Sequence, residues 1–210
     1  MADAAVIFDV DGVLLELTSA EEDAFFVPFE IRHGLKNLSR DWNSYAIRND
    51  ENIIAEILAS HGIPARERSE VVADYLEILK LRLSNGVIGT ITIPGAHKLL
   101  KNLQGNSRIG IATASLLGAA ELRLKHVNPW PYVCAHAFGV EGGGPKREIL
   151  ARAIASINLP KDRIVYLDQD DFGLNQSKII NVIEINNLEH VLIAKPLRTL
   201  AGHALEVSFQ

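Results

Sequence analysis

Apolar residues along this chain fall into two patterns. Three short runs, Ala4-Ala5-Val6-Ile7-Phe8, Ile109-Gly110-Ile111-Ala112 and Ile164-Val165-Tyr166-Leu167, show no alternation with polar residues. A strand with one wet face alternates, so unbroken runs predict strands buried on both faces, as in a parallel sheet. Weaker strand candidates lie at 132–138 and 179–185, with a last one at 190–196. Elsewhere apolar residues recur three and four apart, as at Val71, Val72, Tyr75, Leu76, Ile78 and Leu79, which predicts helix. Helices are expected at 21–33, 50–61, 65–84, 116–126 and 145–157. The first three end at His33-Gly34, His61-Gly62 and Asn85-Gly86, glycine being the usual residue just past a helix end. Ser115 is the expected cap of the fourth, and Pro145 the start of the fifth.

Strands alternating with helices predict an α/β fold with a doubly wound parallel sheet, whose ligands bind beyond the carboxyl ends of the strands. The three strong runs stop at Asp9, Thr113 and Asp168, so these residues should meet at one edge of the sheet. Residues 16–90 carry helical patterns and no strong strand. The expected organisation is an α/β core from 1–15 and 91–210, with an inserted α-helical domain at 16–90 standing over that edge as a lid.

Composition narrows the picture. A chain of 210 residues can bury roughly 70% of its unfolded surface, so neither a disulfide nor a structural metal is needed to hold it. The single cysteine, Cys134, lies in the apolar context Tyr132-Val133-Cys134-Ala135 and is expected to be a buried core thiol. A formal net charge of -5, with no cluster of Lys and Arg, argues against a nucleic-acid interface. No apolar stretch reaches the roughly 18 residues of a membrane span. The start Met1-Ala2-Asp3 lacks the basic segment of a secretion signal. A cytoplasmic protein that acts on small molecules and not at a membrane is expected.

Four segments carry candidate chemistry. In Phe8-Asp9-Val10-Asp11-Gly12-Val13, side chains two apart in an extended chain point the same way, so Asp9 and Asp11 can address one ligand. Their mutual repulsion helps keep one of them protonated. The same pair could also just end a strand and cap the next turn. Thr113, in Ala112-Thr113-Ala114-Ser115, could bind an anion or cap a helix. Lys146, in Gly142-Gly143-Gly144-Pro145-Lys146-Arg147, could neutralise an anion or be solvated in a first helical turn. That glycine run is not a nucleotide P-loop, because Arg147 stands where Ser or Thr is required. The last segment, Leu167-Asp168-Gln169-Asp170-Asp171-Phe172-Gly173, is either a metal site or a solvated acidic loop.

Taken in order, these segments resemble the four motifs of the haloacid dehalogenase superfamily and cover about residues 4–175. The helical insert, with residues 40–51, resembles the branch that holds phosphoglycolate phosphatase and β-phosphoglucomutase. The resemblance implies a Rossmann-like core with a helical cap. It implies that Asp9 attacks phosphorus to form an aspartyl-phosphate, while Asp11 protonates the leaving oxygen and later activates water. It further implies that Asp11, Thr113, the amide of Ala114 and Lys146 bind the phosphoryl group. Mg²⁺ would be held by Asp9, Asp11, Asp168 and Asp171, with Asp170 as understudy. Two positions depart from the pattern: Gly144 stands where some branches place lysine directly before proline, and Leu167 replaces the glycine usually found before the fourth-motif aspartate.

The function implied is a Mg²⁺-dependent phosphatase of a small phosphorylated metabolite. A sugar phosphomutase and a non-catalytic binder of phosphorylated ligands are the alternatives, and Asp11 argues against halide removal. Other catalytic devices, G-x-S-x-G, H-E-x-x-H and G-x-G-x-x-G, are missing from the sequence. Arg32, Lys36, Arg40 and Arg48 are the insert's cationic candidates for meeting an anionic substrate.

Overall fold

The computed structural model describes residues 4–169, 180–184 and 195–196. The chain opens with β1 (Ala5–Phe8) and β2 (Leu15–Glu16). Three helices follow: α1 (Ser19–His33), α2 (Asp50–Ser60) and α3 (Arg68–Ser84). The chain returns through β3 (Ile91–Thr92), α4 (Ala96–Leu103), β4 (Arg108–Ala112) and α5 (Leu117–His126). After these come α6 (Trp130–Val133), β5 (Ala137–Phe138), α7 (Lys146–Ile157), β6 (Ile164–Gln169), β7 (Ile180–Glu184) and β8 (Lys195–Pro196).

The main sheet has the order β5-β4-β1-β6-β7-β8. Its first four strands are parallel, and Phe8 of β1 lies level with Ile111 of β4 and Leu167 of β6. Asp9 and Thr113, which follow β1 and β4, and Asp168, near the end of β6, therefore lie at one edge of the sheet. The unbroken apolar runs have a direct cause, because both faces of the sheet are covered. Ala5, Ile7, Ile164 and Tyr166 face α7 and belong to one apolar cluster with Ile149 and Ile154 of that helix and with Phe29 and Leu79 of the insert. Val6, Phe8, Ile109 and Ile111 face the other way, onto Leu100, Leu124 and Val133 of α4, α5 and α6.

The insert joins the sheet through a second ladder, in which β2 and β3 pair antiparallel, so the chain leaves for and returns from 16–90 at neighbouring points. α1 begins two residues before the sequence pattern suggested. Thr18 caps it by accepting from the Glu21 amide, and Glu21 accepts from the Thr18 amide at 2.8 Å. This reciprocal Thr-x-x-Glu box satisfies two amides that a helix start leaves open. Inside the insert, Phe25 meets Trp42 and Tyr75 at ring separations of 5.4 and 5.3 Å.

Several expectations are corrected. The 132–138 candidate contains only the two-residue β5. Pro129-Trp130-Pro131 starts the short helix α6 instead, because proline fixes a helical φ and needs no amide partner at a first turn. Cys134 is exposed, since the turn at Cys134–His136 directs it outward while Val133 takes the buried position. β7 runs antiparallel to β6, and β8 antiparallel to β7. Only ten residues, 170–179, separate β6 from β7, fewer than the dozen or so that a parallel crossover needs. Of the expected 190–196 strand, Lys195–Pro196 is seen as β8, and 190–194 lie outside the described residues. Ser115 does not cap α5, which starts after Leu116 without a side-chain cap. Among the described residues no helix is long and apolar enough to cross a membrane.

One apolar cluster runs without a break from Ile7 and Tyr166 of the sheet to Phe29, Ile54 and Leu79 of the insert. Phe29 is fully buried in it, and Phe29→Ala should cost about 3–5 kcal/mol through lost contacts and a residual cavity. Urea unfolding followed by tryptophan fluorescence and by far-UV circular dichroism should give one coincident transition, shifted to lower urea. A separate early transition of the insert would show that the shared cluster does not couple the two parts.

Candidate active site

Beyond the carboxyl edge of β1, β4 and β6 lies a cavity of about 620 Å³. Asp9, Asp11, Thr113, Ala114, Lys146 and Asp168 all line it, so six of the seven sequence-predicted site residues come together. The seventh, Asp171, lies outside the described residues, as does Asp170.

Each position has a local cause. The Asp9 amide donates to Leu167 O at 2.8 Å, which carries the β1–β6 ladder one residue past Phe8. Asp9 Oδ1 then accepts from the Val10 amide at 2.8 Å. The chain turns back at Gly12, whose φ of 77° is costly for any residue with a side chain, and the Gly12 amide donates to Leu15 O at 2.7 Å. Thr113 is buried at the end of β4, held by its amide donating to Phe138 O at 3.0 Å. Lys146 comes from the far end of a loop in which Gly142, Gly143 and Gly144 all have positive φ. That loop delivers the first residue of α7 to the sheet edge, so the lysine missing before Pro145 is supplied from one residue after it.

The Lys146 ammonium lies between two carboxylates, donating to Asp9 Oδ2 at 2.5 Å and to Asp168 Oδ1 at 2.8 Å. Burial is the main influence on Asp9 and pushes its carboxyl up to about 7; Asp168 and Asp11 add to the rise, and Lys146 opposes it. Burial alone would lower the Lys146 ammonium, but the two carboxylates outweigh it and hold Lys146 above its ordinary value. Two carboxylates on one ammonium thus leave a surplus of negative charge in a desolvated place. Hard oxygen donors with surplus charge suit a divalent cation, although no three acids stand close enough to form a metal-holding group among the described residues.

Asp11 is placed differently. Its Oδ1 lies 2.7 Å from Arg123 Nη1, and its Oδ2 accepts from Ser115 Oγ at 3.0 Å. Ser115 is therefore a neighbour of Asp11 rather than a helix cap. Arg123 and Glu21 line the same cavity and were absent from the sequence-based site. Their signals were present in the Thr18-x-x-Glu21 box and in a lone arginine on the apolar stripe Ala119, Ala120, Arg123, Leu124 of α5.

The insert supplies the far wall through Glu22, Trp42, Arg48 and Asp50. Of the four cations anticipated there, Arg48 lines the cavity. Arg32 pairs with Glu70 and Asp74, Arg40 pairs with Asp23, and Lys36 is exposed away from the cavity. Asn49 and Asp50 fasten the insert to two loops of the core. Asn49 Nδ2 donates to Gly144 O at 3.0 Å. The Asp50 amide donates to Ala114 O at 3.2 Å, and Asp50 Oδ2 accepts from the Leu116 amide at 2.8 Å.

With this geometry in place, comparison with known proteins gives a consistent answer. Residues 4–168 match the haloacid dehalogenase-like hydrolase family. The chain belongs to that family, and its fold class, an α/β sheet with an inserted helical region, is the family's. It is 24% identical, over 90% of its length and 86% of the relative's, to a phosphorylated carbohydrates phosphatase of Thermotoga maritima. Among solved structures it resembles CbbY from Rhodobacter sphaeroides in complex with phosphate, with a TM-score of 0.64 at 18% identity, covering 79% of this chain and 77% of that one. An Asp-to-Asn variant of CbbY in complex with xylulose-(1,5)bisphosphate gives a TM-score of 0.63 at 19% identity, with the same coverage of both chains.

Asp50 is buried, and desolvation pushes its carboxyl up to about 7, against the Leu116 amide, which lowers it. The folded protein then holds this proton more tightly than the unfolded chain does between about pH 4 and pH 7. Across that window the Asp50 contribution to stability falls as pH rises, by on the order of a few kcal/mol in total. Asp50→Asn can still accept from the Leu116 amide and cannot ionise. Urea midpoints measured at about pH 5 and pH 8 should fall less in the variant than in the wild type. An equal fall in both would show that Asp50 ionises freely while buried.

Proposed function

We propose that this protein is a Mg²⁺-dependent phosphatase that releases phosphate from a small phosphorylated carbohydrate through an aspartyl-phosphate on Asp9. The observation that carries the reading is the Lys146 ammonium held between Asp9 and Asp168. It neutralises the charge that an incoming phosphate would meet and keeps one Asp9 oxygen in a fixed place. Thr113 and the Ala114 amide bind phosphoryl oxygens beside it.

In the first step an Asp9 oxygen bonds to phosphorus while the bond from phosphorus to the leaving oxygen breaks. Asp11 gives its proton to that oxygen. In the second step a water oxygen bonds to phosphorus, Asp11 takes the water's proton, and the Asp9–phosphorus bond breaks to release phosphate. A hard divalent cation would be held by Asp9 and Asp168, with Asp11 beside them; Asp171 lies outside the described residues. When bound, Mg²⁺ would offset phosphate and carboxylate charge as the reaction proceeds.

Residues 1–15 and 91–210 serve as the core domain and 16–90 as the cap in this reading. Glu22 on the cap side, which also accepts from Trp42 Nε1 at 2.7 Å, suits sugar hydroxyls, which donate to carboxylates. Trp42, half-buried in the cavity wall, offers an aromatic surface that suits the apolar face of a sugar ring. The name of the Thermotoga maritima relative points to the same substrate class.

Hydrolysis of 4-nitrophenyl phosphate should require Mg²⁺, disappear with a chelator and return when the metal is restored. Asp9→Asn should lower kcat by at least about three orders of magnitude, as expected for a group that acts as the nucleophile. An active Asp9→Asn enzyme would overturn the mechanism. In a panel of small phosphate esters, phosphorylated sugars should show the highest kcat/KM.

A further inference from the structure

Arg123 is an arginine with only 2% of its surface exposed, and it serves two carboxylates. Its Nη1 lies 2.7 Å from Asp11 Oδ1, and its Nε donates to Glu21 Oε1 at 2.8 Å. Asp11 Oδ1 is buried and accepts no hydrogen bond among the described residues, so the Arg123 guanidinium meets it as an ion pair. Glu21 is itself 2% exposed and is held from both crossings into the insert. Thr18, just before α1, donates to Glu21 Oε2 through its amide at 2.8 Å and its hydroxyl at 2.9 Å. Thr90, just before β3, donates to Glu21 Oε1 at 3.2 Å. Arg123 Nη2 also reaches Glu16 O of β2 at 3.4 Å.

A planar guanidinium fixed on one edge by Glu21 presents its other edge in one orientation, which a flexible ammonium would not do. The arrangement therefore does more than balance charge. It carries the position of the two insert crossings, through Glu21, to the carboxyl group beside the nucleophile.

We propose that Arg123 is a positioning residue for Asp11: anchored by Glu21, it sets the orientation in which Asp11 meets the leaving oxygen. The inference rests on the reading of Asp11 as the proton donor given above. The step it serves is the first one, in which the Asp9–phosphorus bond forms, the leaving oxygen departs and the proton passes from Asp11 to that oxygen. A misplaced Asp11 hurts substrates whose leaving group needs the proton and spares those whose leaving group departs without it.

The test is the dependence of kcat/KM on leaving group across 4-nitrophenyl, 4-chlorophenyl, phenyl and 4-methoxyphenyl phosphate, with Mg²⁺ present. Wild type, Asp11→Asn, Arg123→Lys and Glu21→Gln are compared, with thermal melts to check folding. Asp11→Asn should lose about 100-fold or more on phenyl phosphate and much less on 4-nitrophenyl phosphate. Arg123→Lys and Glu21→Gln should each raise the ratio of 4-nitrophenyl to phenyl turnover by roughly tenfold, in kcat rather than KM, as a partial loss of the same effect. Glu21→Gln keeps its shape and carries the test if Arg123→Lys melts early. If Asp11→Asn steepens the dependence but both other variants slow every substrate equally or not at all, Arg123 is structural and the proposal fails. If Asp11→Asn leaves the dependence unchanged, Asp11 is not the donor, and the reading beneath the proposal fails first.

Discussion

The site is organised by one ammonium among carboxylates. Lys146 bridges Asp9 and Asp168, and each of the three comes from a different element of the core. Two carboxylates gathered at a buried sheet edge repel one another and lose hydration, and without a cation one of them would stay protonated or the edge would open. The sheet order places β1 between β4 and β6, so the residues at the carboxyl ends of those strands meet at one edge. The loop of three glycines with positive φ returns the chain sharply enough for the first residue of α7 to reach them. Fold and charge therefore set each other's limits. The parallel register brings the acids together, and the lysine makes their proximity tolerable.

A second ionic centre, Arg123 between Asp11 and Glu21, does for the insert what Lys146 does for the sheet. Both are cations between two acids, but they differ in burial and in reach. Lys146 keeps a third of its side chain exposed and faces the cavity, whereas the Arg123 side chain is 3% exposed and looks toward the crossings of the insert. Breaking a buried pair by removing one member strands the other charge. With Asn49 and Asp50 gripping the loops at Ala114, Leu116 and Gly144, the insert meets the core at several polar points as well as through one continuous apolar cluster.

Much of this was legible in the sequence. The runs ending at Asp9, Thr113 and Asp168 read as buried strands because both faces of the sheet are covered, a condition that leaves a local trace in every strand. Helices α2, α3 and α7 carry their own period, and α2 its own cap at Asn49. Their bounds fall close to the expected ones, except that residues 65–67 form a separate short turn before α3. The misreadings occurred where local signals are ambiguous. Tyr132 to Phe138 is apolar enough for a strand, but prolines turn its first half into helix and leave Cys134 facing outward. β7 has the composition of another parallel strand, and its direction is set by the length of its connection. Ser115 has the chemistry of a cap but is claimed by Asp11, a partner 104 positions away.

The sequence by itself determined the fold class, the places of the main parallel strands and of α1, α2, α3, α5 and α7, and the candidates Asp9, Asp11, Thr113, Lys146 and Asp168 that line the cavity, whereas β2, β3, α4 and α6 were not read from it. Those properties reside in short stretches, in periodicity and in the conformations open to glycine and proline, so they can be read without knowing what lies opposite. Only the tertiary structure decided which partners these residues meet: that Lys146 stands between Asp9 and Asp168, that Arg123 faces both Asp11 and Glu21, and that Asp50 is buried against Leu116. Such pairings join residues up to 137 positions apart. Their energy depends on burial and orientation, which arise only when distant elements pack together and exclude water.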